Sequence, residues 1–114
     1  MVTIRRNTTD AAFRAIADPT RRRILSLLRG RPHTVGEIAA NFRTSRPAIS
    51  KHLRLLRSAG LVFTRKDGAA RICSLNAKPL RAVSVWLGEY EEFWSHSLRG
   101  LKNYIEAESH KEKN

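Results

Sequence analysis

The chain has 114 residues, of which 41% are hydrophobic and 28% charged, so it suits one compact domain and is too rich in apolar side chains to be disordered. No apolar run approaches the ~20 residues that cross a bilayer, and the first residues carry no secretion signal. The single cysteine, Cys73, excludes an internal disulfide and a thiolate zinc cluster, and we expect a cytoplasmic protein with no membrane contact.

The positive charge is concentrated in the first two thirds of the chain. Lysine and arginine total 22 against 10 acidic residues, a net charge of +12. Residues 1–75 hold 16 basic and 4 acidic side chains, whereas residues 76–114 hold 6 of each. Such a field favours a polyanionic partner, nucleic acid before an anionic membrane. A generally basic surface that serves solubility alone is the alternative.

The first elements are predicted to be a flexible arm and two helices. Residues 1–9 have no clear pattern and are expected to be the arm. Residues 10–17 carry apolar side chains at helical spacing. Pro19 then starts a second helix with Asp18 as its N-cap, and this helix is predicted to end at about Arg29.

The segment 34–60 has the pattern of a helix–turn–helix. Thr34 and Glu37 form a capping box, which predicts a short helix. After a tight connection, Ser45 is a good N-cap for a further helix, and Gly60 suits its C-terminal end.

Residues 61–75 change to a strand-like period on both sides of Asp67-Gly68, which predicts a β-hairpin. A long last helix is predicted over residues 79–108. The fold class is therefore mainly α with a small β-hairpin: a single winged helix-turn-helix domain over residues 1–114, with dimerisation helices at 10–17 and 79–108 and the wing at 61–75.

In the helix predicted after Ser45, we expect one face to be buried and the opposite face to contact DNA. Ile49, Leu53 and Leu56 lie on one side, and a basic surface lies opposite. A helix 10–12 Å across fits the major groove, where the start of the second helix reads bases. Arg46 is expected to read guanine. The predicted DNA-binding residues are Thr44, Ser45, Arg46, Pro47, Ser50, Lys51, His52, Arg54, Arg65, Lys66 and Arg71.

These residues are expected to play different parts. Thr44, Lys51 and Arg54 are predicted to contact phosphates, which position the protein without reading sequence. For His52, a buried or capping role is the alternative to a phosphate contact. The basic residues of the hairpin are predicted to reach the DNA backbone or the minor groove, although basic edge strands also deter aggregation. An ordinary solvated helix is the alternative for the whole segment.

The last predicted helix has an apolar seam with steps of three and four residues, close to a heptad. A chain of this size has too little core to cover both sides of such a helix, so a second copy is the simplest cover. A helix folded back on its own domain is the alternative. The predicted dimer-interface residues are Phe13, Ile16, Leu80, Val83, Leu87, Tyr90, Trp94, Leu98, Leu101 and Ile105.

Four segments together resemble the ArsR-type (arsenic-repressor-like) winged-helix regulators of bacteria. They are residues 13–25 (FRAIADPTRRRIL), 34–39 (TVGEIA), 45–56 (SRPAISKHLRLL) and 59–62 (AGLV). The resemblance implies a homodimer that represses transcription by occupying an inverted-repeat operator on double-stranded DNA. It also places Ser45, Arg46, Ser50 and His52 at the family's recognition-helix positions and the 65–71 hairpin at its wing.

The metal-site motifs of that family are absent. Residues 35–39 contain no Cys-x-Cys pair, Trp94 stands two before His96, and Lys113 stands three after His110. We therefore expect no metal and no cofactor. Glu92 and His96, with Glu106 and His110, could still form a zinc site between paired helices, but simple i,i+4 pairs are the favoured interpretation.

Three further alternatives have different signatures. An enzyme is not expected, because no nucleophile arrangement or phosphate-binding glycine loop is present. A non-specific architectural DNA binder would not prefer an operator over random DNA. A metal- or redox-gated sensor of the same fold would act through a ligand or through Cys73. The sequence indicates no class of small-molecule effector and no operator.

Overall fold

The structure is a computed structural model that describes the backbone of residues 2–113 and the side chains of residues 9–109. It contains two compact units, the first ending at Val83 and the second beginning at Ser84. In chain order the elements are α1 (Val2–Ile16), α2 (Pro19–Gly30), β1 (His33–Thr34), α3 (Val35–Ala40), α4 (Arg46–Ser58), β2 (Val62–Asp67), β3 (Ala70–Leu75), α5 (Leu80–Gly88) and α6 (Glu91–Lys113). Among these described helices, none combines the length and apolar character needed to cross a bilayer.

Helix α1 is longer than the sequence predicted. It begins at Val2, within the segment expected to be a flexible arm, rather than at residue 10. The apolar spacing marks only the buried face of a helix, which here starts near Ala12. The preceding residues include no glycine or proline, so nothing in them stops the helix from extending. Met1, the first residue of the predicted arm, lies outside the described residues.

Side-chain hydrogen bonds hold the end of α1 against the start of α2. Asp18 caps α2 by accepting a hydrogen bond from the Arg21 backbone N–H at 3.0 Å. The Arg21 guanidinium donates to the carbonyls of Ala15 and Arg14 at 2.7 and 3.0 Å, and that of Arg22 donates to Ile16 at 2.8 Å. Guanidinium groups therefore satisfy the last carbonyls of α1, where the helix dipole also favours positive charge.

The helix–turn–helix forms as predicted. Thr34 Oγ1 accepts from the Glu37 backbone N–H at 3.1 Å while the Glu37 carboxylate accepts from the Thr34 N–H at 3.0 Å, which completes the capping box. Ser45 caps α4 through Ala48, with Oγ 3.3 Å from the backbone nitrogen. These short-range bonds determine where α3 and α4 begin.

Helix α4 ends in a Schellman motif. The N–H of Gly60 donates to the carbonyl of Arg57 and that of Leu61 to Leu56, both at 2.9 Å. Gly60 has φ +75°, the left-handed conformation that this motif requires. The side chains of Leu56 and Leu61 are both fully buried, which supplies the apolar contact that usually accompanies the motif.

The sheet has three antiparallel strands in the order β1-β3-β2. The predicted hairpin is present, with Asp67 paired to Ala70 and Gly68-Ala69 as its two-residue loop. Gly68 has φ +63° and Ala69 does not have a positive φ, as in a type II′ turn. Strand β1, which pairs with β3 at His33 and Thr34, was not predicted because two residues are too few for an alternating pattern.

The core of the first unit lies between α1, α2, α3, α4 and the sheet. Its largest fully buried side chains are Ile24, Ile38, Ile49, Leu56, Leu61 and Cys73. Phe42, in the turn before α4, is half-buried against this core. The predicted burial of the Ile49, Leu53 and Leu56 face of α4 is confirmed.

The single last helix predicted over residues 79–108 is wrong: the structure has two helices, α5 and α6, with a break at Glu89 and Tyr90. Their N–H groups donate to Trp86 and Leu87, three residues back, so the α-helical pattern ends there. Gly88 at the end of α5 is the local cause, since glycine favours a helix end. The sequence analysis did not detect this helix end because the apolar residues keep a regular spacing through it.

Candidate nucleic-acid interface

Helix α4 separates its residues between a buried face and a basic face. Ile49, Leu53 and Leu56 are buried. The side chains that follow them around the helix are exposed or half-buried, and they carry the predicted DNA contacts. These are Arg46, Pro47, Lys51 and Arg54, all exposed, and Ser50, half-buried. The apolar face fixes the helix on the core, so the basic face is presented to solvent in one orientation.

The residues at the start of α4 that are predicted to contact DNA lie on an open surface. Thr44, Ser45 and Arg46 are exposed. A Cβ atom added to Gly36 of α3 would lie 4.0 Å from Nη2 of Arg46, so the Arg46 side chain lies close over the start of α3.

A groove of about 400 Å³ lies between the starts of α3 and α4 and the tip of the hairpin. Its lining residues are Thr34, Val35, Gly36, Arg46, Ser50, Ala69, Ala70 and Arg71. The structure therefore brings the predicted base reader Arg46, its neighbour Ser50 and the wing residue Arg71 to one groove. Arg46 and Ser50 are neighbours on α4, whereas Arg71 is distant in sequence and only the fold brings it beside them.

The wing presents two positive charges side by side. Lys66 and Arg71 are register partners on β2 and β3, and both are exposed. Directly opposed like charges destabilise an antiparallel pair. Arg65, next along β2, is also exposed and alternates to the other face of the hairpin. A hairpin that retains such a pair at its tip is suited to an anionic partner.

His52 does not share the basic face of α4. Its Nδ1 lies 3.8 Å from Oδ2 of Asp18 and 3.4 Å from Nη1 of Arg21, and its side chain is only 24% exposed. At about 100° per residue, His52 falls on the opposite flank of α4 from Arg46 and Ser50. Of the two roles considered for His52, this geometry favours the structural one.

Cys73 lies inside the sheet and away from solvent. It is 1% exposed on the central strand β3, and Thr64 is its register partner. Burial raises the pKa of the Cys73 thiol, with a Thr64 hydrogen bond and the positive charge of Arg57 acting in the other direction. A buried, protonated thiol is a poor nucleophile and a poor redox sensor.

Within residues 9–109, no group of three or more histidine, cysteine or acidic side chains is arranged to hold a metal ion. Glu92 and His96 are both exposed on α6. The side chain of His110, which belongs to the second predicted pair, lies outside the described residues.

The predicted dimer residues divide into two groups. Phe13, Ile16, Leu80, Val83 and Leu87 are half-buried, and Ile16 and Leu80 pack against the core of the first unit. The remaining members, all from Tyr90 onward, are exposed. They are Tyr90, Trp94, Leu98, Leu101 and Ile105, with exposed fractions from 42% to 66%.

The sequence did not reveal that Arg21 binds the last carbonyls of α1 or that Gly36 lies beside the Arg46 side chain. Arg21 joins the end of α1 to the flank of α4 through its three side-chain nitrogens. The run Arg21-Arg22-Arg23 directly after a helix N-cap was the available signal. Charge alone does not indicate which arginines bind carbonyls and which face solvent.

The comparisons with known proteins agree with this architecture. The profile described as "Bacterial regulatory protein, arsR family" matches residues 18–64, which include α2, the helix–turn–helix and the start of the wing. The crystal structure of an ArsR family transcriptional regulator, RHA00566, superposes with a TM-score of 0.70 at 38% identity, covering 78% of this chain and 92% of that one.

Two curated relatives carry regulatory names. The HTH-type transcriptional regulator Rv2034 of Mycobacterium tuberculosis is 38% identical over 99 residues, covering 87% of this chain and 90% of its own length. The transcriptional repressor SdpR of Bacillus subtilis is 43% identical over 75 residues, covering 66% and 83%. The chain therefore belongs to the ArsR family, and it is a winged helix-turn-helix DNA-binding transcription regulator rather than an enzyme.

Proposed function

We propose that the chain is a homodimeric repressor that binds an inverted-repeat operator in the bacterial cytoplasm. In each subunit α4 enters the major groove, where Arg46 reads guanine and Ser50 makes a less selective hydrogen bond. The wing residues Lys66 and Arg71 contact the adjacent backbone or minor groove. Repression follows from occupancy of the operator, and the relative named as a repressor supports this direction.

One observation carries the proposal: the groove in which Arg46, Ser50 and Arg71 meet. It joins the start of α4 to the tip of the wing, and its rim is basic. Lys51 and Arg54 extend this surface along the exposed side of α4. The wing tip carries one acidic residue, Asp67, against the exposed Arg65, Lys66 and Arg71, so positive charge dominates there.

The apolar face of α6 supports the dimer. Trp94, Leu98, Leu101 and Ile105 recur at steps of three and four, so they lie on one side of this helix. All four are about half or more exposed. Contiguous exposed apolar side chains of this size mark an interaction surface, and two-fold pairing of identical faces is the commonest arrangement.

The proposal is tested by selecting bound fragments from the genome of origin with purified protein and by measuring affinity for the best fragment and for random DNA. We expect a preference above about 10³-fold for the selected fragment. Arg46→Ala should relax base preference at one position of each half-site by about 1–3 kcal/mol. Lys51→Ala and Arg54→Ala should weaken binding to all DNA alike and flatten the salt dependence.

Equal affinity for selected and random fragments would show an architectural DNA binder instead of a specific repressor. An Arg46→Ala protein that keeps the full base preference would show that another residue reads the operator. The charge-matched control is Arg29→Ala, which removes an exposed arginine from the last turn of α2 and should leave base preference unchanged.

A further inference from the structure

Three consecutive arginines of α2 have different partners. The guanidinium groups of Arg21 and Arg22 donate to the last carbonyls of α1. The guanidinium carbon of Arg23 instead lies 4.6 Å from the centroid of the Phe42 ring. Within the described part of the chain, Arg23 has no hydrogen bond and no ion pair, so its donors are available to a ligand.

The ring beneath Arg23 belongs to the turn that leads into the recognition helix. Phe42 follows α3, and Thr44 and Ser45 come directly after it. Phe42 is half-buried against the core, so its position is fixed by packing. Arg23 is itself exposed. A fixed aromatic ring therefore holds a solvent-facing positive charge beside the turn before α4.

Arg23 lies in a cleft at the end of α3 that Ser26, Leu27, Asn41 and Phe42 also line. On α4, Arg46 and Ser50 face the wing across the groove, whereas His52 on the opposite flank contacts Arg21 of α2. Helix α2 therefore runs along the side of α4 that the wing leaves open. When a helix lies in the major groove, a phosphate strand passes on each side of it, so both flanks meet backbone.

We propose that Arg23, held over the Phe42 ring, is a DNA phosphate contact that binds the backbone beside the turn leading into α4. This inference rests on the proposed function, since it assumes that α4 lies in the major groove. Arg23 is a binding residue in this arrangement, and Phe42 is a positioning residue. The contact carries no base information, because a guanidinium on a phosphate meets the same group at every step.

The test is the salt dependence of DNA binding, measured with the intact protein on the selected fragment and on random DNA. Each neutralised phosphate contributes about 0.9 to the slope of log affinity against log salt. We expect Arg23→Ala to flatten this slope by about 0.9 per subunit bound, equally on both DNAs, and to leave base preference intact. The matched control Arg29→Ala removes the same charge from another face of α2 and should leave the slope unchanged.

A second variant tests the positioning by the ring. Phe42→Leu keeps an apolar side chain against the core and removes the aromatic face. We expect affinity to fall about two- to five-fold, the effect of losing an exposed cation–π contact. Combined with Arg23→Ala, Phe42→Leu should have no further effect on binding. A merely structural role for the ring would make the two effects add.

The outcomes separate this inference from the proposed function. If Lys51→Ala flattens the slope and Arg23→Ala does not, α4 binds DNA and the assignment of Arg23 is wrong. If neither variant alters the slope, the placement of α4 in the groove is wrong as well. Equal slope losses for Arg23→Ala and Arg29→Ala would indicate a general charge effect and would also overturn the specific contact.

Discussion

Arg21 of α2 and His52 of α4 face each other, with Nη1 of the arginine 3.4 Å from Nδ1 of the histidine. The other guanidinium nitrogens of Arg21 donate to the carbonyls of Ala15 and Arg14. One side chain therefore connects the end of α1, the start of α2 and the flank of the recognition helix.

Arg21→Ala should destabilise the protein more than its exposed neighbour Arg22→Ala does. The first change leaves two carbonyls without their charged donor, each worth about 1.5–3 kcal/mol at most, whereas the second removes one exposed hydrogen bond. We expect a loss of about 2 kcal/mol or more for Arg21→Ala in urea unfolding. Equal losses for the two variants would show that the Arg21 contacts contribute no more than a surface hydrogen bond.

The Asp18 cap should make stability fall in acid. The backbone N–H of Arg21 is the main cause that lowers the pKa of the Asp18 carboxyl below its ordinary value of 3.8, and the charges of His52 and Arg21 add to it against an opposing effect of burial. Because the folded pKa is the lower one, the stabilisation is complete above the unfolded value and is lost as the pH falls through the folded value.

Asp18→Asn isolates this contribution, since asparagine caps a helix nearly as well and does not titrate in this range. The variant should be less stable than the natural protein at neutral pH by up to about 1 kcal/mol. The difference should vanish at a pH well below 4. Glu37 has a pKa lowered in the same direction, mainly by the Thr34 N–H, and remains in both proteins. A difference that stays constant with pH would contradict the ionised cap.

Gly60→Ala should cost about 1–2 kcal/mol of stability, because it forces an L residue into a left-handed conformation. Gly60 has φ +75°, and the new Cβ would meet Cγ of Pro79 at 3.5 Å, an ordinary contact, so backbone strain is the whole effect. Gly30→Ala is the control: no atom lies within 4 Å of its Cβ, φ is not positive, and we expect no loss. Equal thermal midpoints for the two variants would refute the strain argument.

The Cys73 thiol should resist modification in the native protein. Its burial at 1% exposure and its raised pKa both disfavour the reactive thiolate. We expect a disulfide-exchange reagent to label it slowly without denaturant and rapidly in urea, with the native rate following the unfolding equilibrium. Rapid native labelling, with a change in DNA affinity, would instead support the redox-gated sensor.

Leu98→Glu should convert a dimer into monomers. The leucine is 66% exposed at the middle of the apolar face of α6, and a second copy would bury it. A carboxylate there would be desolvated without a partner, at a cost of several kcal/mol. Sedimentation equilibrium would measure the change. His96→Glu, on the polar side of the same helix, should leave the association intact. A monomeric natural protein at all concentrations would refute the dimer.

The sequence alone identified the features that depend on neighbours three or four residues apart. The caps at Asp18, Thr34 and Ser45 and the end of α4 at Gly60 all rest on such local hydrogen bonds. A residue type at a known offset is sufficient to indicate them, because the partner is a backbone group of the same turn. The helix–turn–helix, the hairpin and the basic face of α4 follow from these boundaries together with periodicity.

Only the tertiary structure decided which side chains meet across the fold. It turned His52 toward Asp18 and placed Lys66 opposite Arg71. These outcomes depend on strand register and on the rotation of α4 against the core. Such contacts join residues distant in sequence, and their geometry is set by the packing of the whole core rather than by any short segment.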